Sequence, residues 1–123
     1  MKTPQQTNPN APSASPQVIT KPGFVLTNKA VLDLKSIGIY TQNTWGIQQR
    51  NRYLSALDKG FYVLAANHMK GQDCGEIRTG YRKYQVGKHV IFYRETDASL
   101  IEIVRVLHER MDTKLQLSDS TQP

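Results

Sequence analysis

The sequence predicts an α+β domain: an N-terminal strand, a two-helix hairpin, then a three-stranded antiparallel meander packed against the helices. Three observations lead there. Apolar residues recur at helical steps between residues 30 and 66, and the period falls toward two from about residue 76. Short turn signals then separate β-branched and aromatic runs. Composition also breaks sharply near residue 22, which fixes where the domain begins.

Five of the six prolines lie in the first 22 residues, interleaved with Gln, Asn, Ser and Thr. Proline at that density removes backbone donors and stops helices, while the polar filler supplies nothing to bury. Residues 1–22 are therefore predicted as a disordered tail, 23–117 as the domain and 118–123 as a flexible C-terminus. The domain carries fourteen basic and nine acidic residues, so most of the net charge of +6 belongs to it.

Phe24-Val25-Leu26 is long enough for one strand. Thr27 or Asn28 can cap a helix by accepting a hydrogen bond from its first turn. Ala30, Val31, Leu34, Ile37 and Tyr40 follow at helical spacing, with Asp33 and Lys35 pointing outward. Trp45-Gly46 ends that stretch. A second helix runs from about Ile47 to Ala66, its stripe formed by Ile47, Leu54, Leu57, Phe61 and Leu64 and widened by Tyr53 and Val63. Two amphipathic helices across a tight break make an αα-hairpin. Glu76 to Gln85 alternates, Val86-Gly87-Lys88 turns, His89 to Arg94 is a strand, and Leu100 to His108 is the strongest strand in the chain.

At 123 residues with pI about 9.6 and 38% hydrophobic content, one small basic domain is expected. The lone Cys74 excludes an internal disulfide and a cysteine zinc site. No run of 18 apolar residues offers a membrane span, and no apolar stretch follows Lys2, so a cytoplasmic protein is expected. The charge points toward an anionic partner.

Sites with recognisable chemistry are scarce. Cys74 lies six residues after His68, but no strand-to-helix elbow frames either as a nucleophile and base. His68, His89 and His108 lack metal-ligand spacing, although His89 and His108 sit at strand ends and can meet across the sheet. No phosphate-binding loop or dinucleotide fingerprint occurs. Neither Asp73 with Glu76 nor Glu109 with Asp112 has the apolar setting that splits two carboxylates into acid and base. No cofactor or metal is predicted.

One constellation stands out. Arg78, Arg82, Lys83, Lys88, His89, Arg94, Arg105, His108 and Arg110 crowd into the meander with Tyr81, Tyr84 and Tyr93 among them. Alternate positions such as Arg78 and Arg82, or Arg94 opposite Arg105, are expected to form one basic face. Guanidinium beside aromatic rings suits phosphates or unstacked bases, and suits a carboxylate-rich protein as well. A merely solvated sheet face fits the same residues.

Several stretches together resemble a known family. They are Glu76-Ile77-Arg78-Thr79-Gly80-Tyr81-Arg82-Lys83-Tyr84, then His89-Val90-Ile91-Phe92-Tyr93, then Ile103-Val104-Arg105-Val106-Leu107-His108-Glu109-Arg110-Met111-Asp112. With Leu54 to Ala65, Asp33-Leu34, Tyr40-Thr41 and Trp45-Gly46, they closely resemble the ParE toxins, within the ParE/RelE superfamily, over about residues 24–112. The resemblance implies the fold already read from the periods.

For function the resemblance implies two branches. RelE-like members cleave mRNA in the ribosome with basic side chains and a late Tyr; ParE-like members are not nucleases and poison DNA gyrase. The ribonucleases tend to place Arg where His89 stands here, and the last Tyr of this chain is Tyr93. Losing an acid–base partner costs about 10²- to 10⁴-fold in rate, which favours the gyrase branch. The expected target-binding residues are Arg78, Arg82, Lys83, His89, Arg94, Arg105, His108 and Arg110. A ParD-like antitoxin is the implied partner, its helix lying in a groove lined by Leu34, Tyr40, Trp45, Leu54 and Leu57. A ribosome-dependent endoribonuclease, or a toxin fold that only binds antitoxin, are the alternatives.

Overall fold

The computed structural model describes residues 19–96, 98–111 and 117. The first strand of the domain, β2 (Phe24–Leu26), leads directly into helix α1 (Asn28–Trp45). Thr27 is the hinge between them. Its Oγ1 accepts from the Ala30 amide at 3.1 Å and donates to the Val104 carbonyl at 2.8 Å, so one side chain caps the helix and ties it to the sheet. Gly46 separates α1 from α2 (Ile47–Ala66). At φ +95° it occupies backbone space that disfavours side chains, and its N–H closes α1 onto the Gln42 carbonyl at 2.9 Å.

Strands β4 (Tyr81–Val86), β5 (His89–Glu95) and β6 (Ile101–His108) form the expected antiparallel meander. Strand β2 adds to β6 in parallel, pairing Phe24 with Ile101 and Leu26 with Ile103. Two short strands extend the edges, β1 (Ile19–Lys21) beside β2 and β3 (Gln72–Asp73) beside β4. The sheet order is β1-β2-β6-β5-β4-β3.

Two expectations change. Ile19–Lys21, assigned to the tail by proline density, is an edge strand; residues 1–18 of that tail lie outside the described residues. The reason is the Pro22-Gly23 pair, which closes a two-residue turn and returns Lys21 opposite Phe24. The strand expected from Glu76 begins at Tyr81, because the Cys74 carbonyl accepts from the Ile77 and Arg78 amides and coils residues 75–80 into turns. The expected flexible segment 118–123 also lies outside the described residues.

The sheet buries apolar side chains on both faces. On the helix side lie Phe24, Leu26, Ile91, Tyr93, Ile101, Ile103 and Val106, packed with Leu57, Phe61 and Leu64 of α2. On the opposite face lie Cys74, Tyr81, Phe92, Val104, Leu107 and Leu117. A β-bulge shifts the β5–β6 register: Phe92 pairs with Arg105 but Tyr93 with Ile103. Beyond it, Val106 joins Ile103 on the helix side while Leu107 joins Val104 on the other.

Candidate functional site

The bulge decides where the cations of the meander go. On the helix side, Arg105 reaches Asp33 of α1: Nε to Oδ2 and Nη2 to Oδ1, both 2.8 Å. The Val106 amide donates to the same carboxylate at 2.9 Å. The two side chains are only 11% and 13% exposed, so Asp33, expected to point outward, is an internal anchor. A two-pronged guanidinium–carboxylate pair shielded from water is strong and directional.

Arg82 is turned inward as well. Its Nε and Nη2 donate to the Gly71 carbonyl at 3.1 and 2.7 Å, holding the loop after α2. Tyr93 completes that clamp, accepting from the Gly71 amide at 2.9 Å and donating to the His68 carbonyl at 2.8 Å. Burial raises the Tyr93 phenol above its ordinary pKa, so it stays a donor. His68 in turn meets Glu95 at 2.6 Å.

The other cations are dispersed. Arg94 pairs with Glu102 at 2.8 Å, directly across the strand, and not with Arg105. Lys83 follows Arg82 on β4 and so projects from the face opposite to it. Arg78 lies in the 75–80 turns, and Lys88 lies 3.9 Å from Glu109. The expected single basic face is thus not assembled: strand pleating sends Arg82, His89 and His108 toward the helices and Lys83 and Arg94 away, while Arg105, paired with Phe92 at the bulge, reaches α1 through Asp33.

The structure does bring His89 and His108 together at one end of the sheet. They are direct cross-strand partners with ring centroids 5.3 Å apart, edge to face. Tyr53 of α2 joins them, its hydroxyl 2.6 Å from His89 Nδ1 and accepting from the Lys88 amide at 3.0 Å. The Arg110 amide donates to His108 Nδ1 at 3.1 Å. Burial, and then the nearby charge of His108, lower the pKa of His89. Arg110 itself is exposed. Burial pushes the Cys74 thiol up to about 11, which suits an inert core residue. Among the described residues no group of three or more His, Cys, Asp or Glu could hold a metal.

The helix hairpin presents a different surface. Tyr40 and Trp45 are 66% and 69% exposed, whereas Leu34 and Leu54 are half-buried and Leu57 is wholly buried. Leu57 packs in the core between helices and sheet, so its place in the stripe reflects folding. Leu32 and Ile39, absent from the expected stripe, and Ile47, expected within the α2 stripe, are more than half exposed. Leu32 and Ile39 are two turns apart on one side of α1, an apolar line outside the core stripe.

With that geometry in place, similarity to known proteins identifies the family. The family model described as ParE toxin of the type II toxin–antitoxin system, parDE, matches residues 24–113. The chain belongs to the ParE toxin family. It is 42% identical to Toxin ParE1 of Mycobacterium tuberculosis over 94 residues, spanning 76% of this chain and 96% of that one. Toxin ParE of Escherichia coli is 33% identical over 96 residues, spanning 78% and 93%. A solved structure titled chromosomal ParDE TA system from P. aeruginosa shares the fold, with a TM-score of 0.59 at 18% identity. It covers 68% of this chain and 90% of that one. The ParE match begins at Phe24, so strand β1 precedes it. No described helix is long and apolar enough to cross a membrane.

Proposed function

We propose that this ParE-family toxin arrests growth by poisoning the DNA gyrase cleavage complex, and that a ParD-like antitoxin neutralises it in the cytoplasm. The supporting observation is the state of the His89–His108 pair. The Nδ1 of His108 is already occupied as acceptor of the Arg110 amide, and the Nδ1 of His89 is hydrogen-bonded to the Tyr53 hydroxyl, so neither is free to take a substrate proton. With no tyrosine after Tyr93, an mRNA-cleaving site lacks its proton-transfer partners, and a non-enzymatic toxin is the better reading.

The exposed end of the meander, with Arg110, Lys88 and the histidine pair, is the surface assigned to the target. Arg94 and Arg78 lie at the other end of the meander, and Lys83 projects from the far face, so they stand apart from that surface. Arg82 and Arg105 serve as internal supports, holding the loop after α2 and helix α1. The antitoxin is assigned to the hairpin, where Tyr40, Trp45, Ile39 and Ile47 gather around the Gly46 turn. An amphipathic helix with apolar anchors at helical spacing fits such a surface.

The test is induction in growing cells, with and without the cognate antitoxin, while DNA and protein synthesis are pulse-labelled. DNA synthesis should stop before protein synthesis, and antitoxin should restore growth. Protein synthesis failing first would favour ribosomal mRNA cleavage. Arrest that the antitoxin cannot relieve would remove the partner assignment.

A further inference from the structure

We propose that the Tyr53–His89–His108 cluster is a proton-operated latch that holds the turn after β6 closed at neutral pH and opens it on acidification. The cluster joins three elements at one end of the sheet. Tyr53 comes from α2, His89 opens β5, and His108 closes β6, directly opposite His89.

The two rings meet their protons differently. His89 has a partner that adapts. The Tyr53 hydroxyl lies 2.6 Å from His89 Nδ1 and 3.3 Å from the Val86 carbonyl, so its one proton can go to either. A proton arriving on His89 Nδ1 makes that nitrogen a donor. The phenol then accepts from it, still accepts from the Lys88 amide, and turns its own proton to Val86. No donor is stranded.

His108 has no such rotor. Its Nδ1 accepts from the Arg110 backbone amide at 3.1 Å, which fixes the ring as the Nε2–H tautomer. A proton on that Nδ1 sets N–H against N–H, and the amide must leave. The turn is otherwise held by the Met111 amide on the His108 carbonyl at 2.9 Å and the Glu109 amide on the Lys88 carbonyl at 2.9 Å. Expelling the Arg110 amide breaks the one side-chain bond among these three.

The surrounding charges set the balance. Asp33 of α1 and Glu109 beyond β6 favour a proton on His89, while burial and the opposing His108 disfavour it. Asp33 is engaged by Arg105, and Glu109 accepts from Gln85 Nε2 at 2.7 Å with Lys88 3.9 Å away. Tyr53 stays a neutral phenol, its pKa raised by burial. Arg110 is exposed and adds positive charge on the solvent side. Rings 5.3 Å apart do not readily carry two charges, and burial disfavours the charge on His89, so the proton taken up in acid goes to His108 and displaces the Arg110 amide.

The experiment is a proton and nitrogen NMR titration of the full chain between about pH 8 and about pH 5, which brackets an ordinary histidine. The ring resonances of both histidines and the backbone amides of residues 109–111 are followed together. The Arg110 amide should shift with the same midpoint as the His108 ring, and its hydrogen-exchange protection should fall several-fold at the acid end. An Arg110 amide that stays still while His108 titrates would overturn the latch. His108→Asn supplies an oxygen that accepts the same amide without titrating. In that variant the Arg110 amide should become pH-independent, and the His89 midpoint should rise as the opposing charge disappears. An Arg110 amide that still titrates with His108 gone would equally overturn it.

Discussion

The outer hairpin and the end of the meander carry the two kinds of residue from which partner surfaces are built, and the fold treats them oppositely. On the hairpin, Tyr40 and Trp45 stand in solvent although their rings are largely apolar. On the meander, Arg82, Arg94 and Arg105, which water would solvate readily, are committed to a carbonyl, Glu102 and Asp33. The lesson is that charge density along a strand does not make a charged surface. Cations near a helix-packed sheet are used to hold elements together, while the apolar side chains left outside are the ones available to the proposed partner.

That contrast can be broken most forcefully at Asp33. Asp33→Ala strands the shielded Arg105 guanidinium and the Val106 amide, and should cost about 3–5 kcal/mol in urea unfolding. A loss under about 1 kcal/mol would mean that the pair behaves as an ordinary surface bridge and that Arg105 is open to a target.

Leu57→Ala comes next, at about 2–5 kcal/mol, because the side chain is fully buried between α2 and the sheet. The same substitution should leave antitoxin affinity unchanged wherever the variant is folded. A loss of affinity without a loss of stability would return Leu57 to the groove.

The pH dependence should be smaller and of fixed sign. His89 is held below its ordinary value of 6.5, so below about pH 6.5 the unfolded chain binds more protons than the folded one. Stability contributed by neutral His89 is therefore full above that pH and declines as pH falls toward the folded-state value. His89→Gln should flatten this part of the stability–pH curve, read from melting temperatures. A wild-type curve that rises on acidification would contradict it.

Trp45→Glu should have the smallest effect on folding, within about 0.5 kcal/mol for so exposed a position. It should nonetheless weaken antitoxin binding at least tenfold by calorimetry. Unchanged binding would leave the hairpin surface without its assigned partner.

The hairpin was legible because its cause is local. The Thr27 cap, the stripe through Leu54, Leu57, Phe61 and Leu64, and the Gly46 break all act within a few residues. The meander was legible as strands but not as a surface. Its facing depends on a one-residue bulge beside Val104, which no period in Leu100–His108 announces and which a strand of even alternation would lack. The Asp33–Arg105 pair spans 72 residues, so a carboxylate on a helical stripe looks solvated until the sheet is placed beneath it. Strand β1 was hidden by composition: proline density described its neighbours, while Pro22-Gly23 returned the chain to β2. The meeting of His89 and His108, in contrast, follows from two strand ends joined through a short turn.

The central claim is tested most directly with purified components. The chain is mixed with gyrase and relaxed plasmid, beside a parallel reaction with ribosomes loaded on mRNA. The account predicts blocked supercoiling with linear DNA accumulating as toxin is added, and intact mRNA. Cleaved mRNA with gyrase fully active would contradict it and make the histidine end of the sheet a catalytic site.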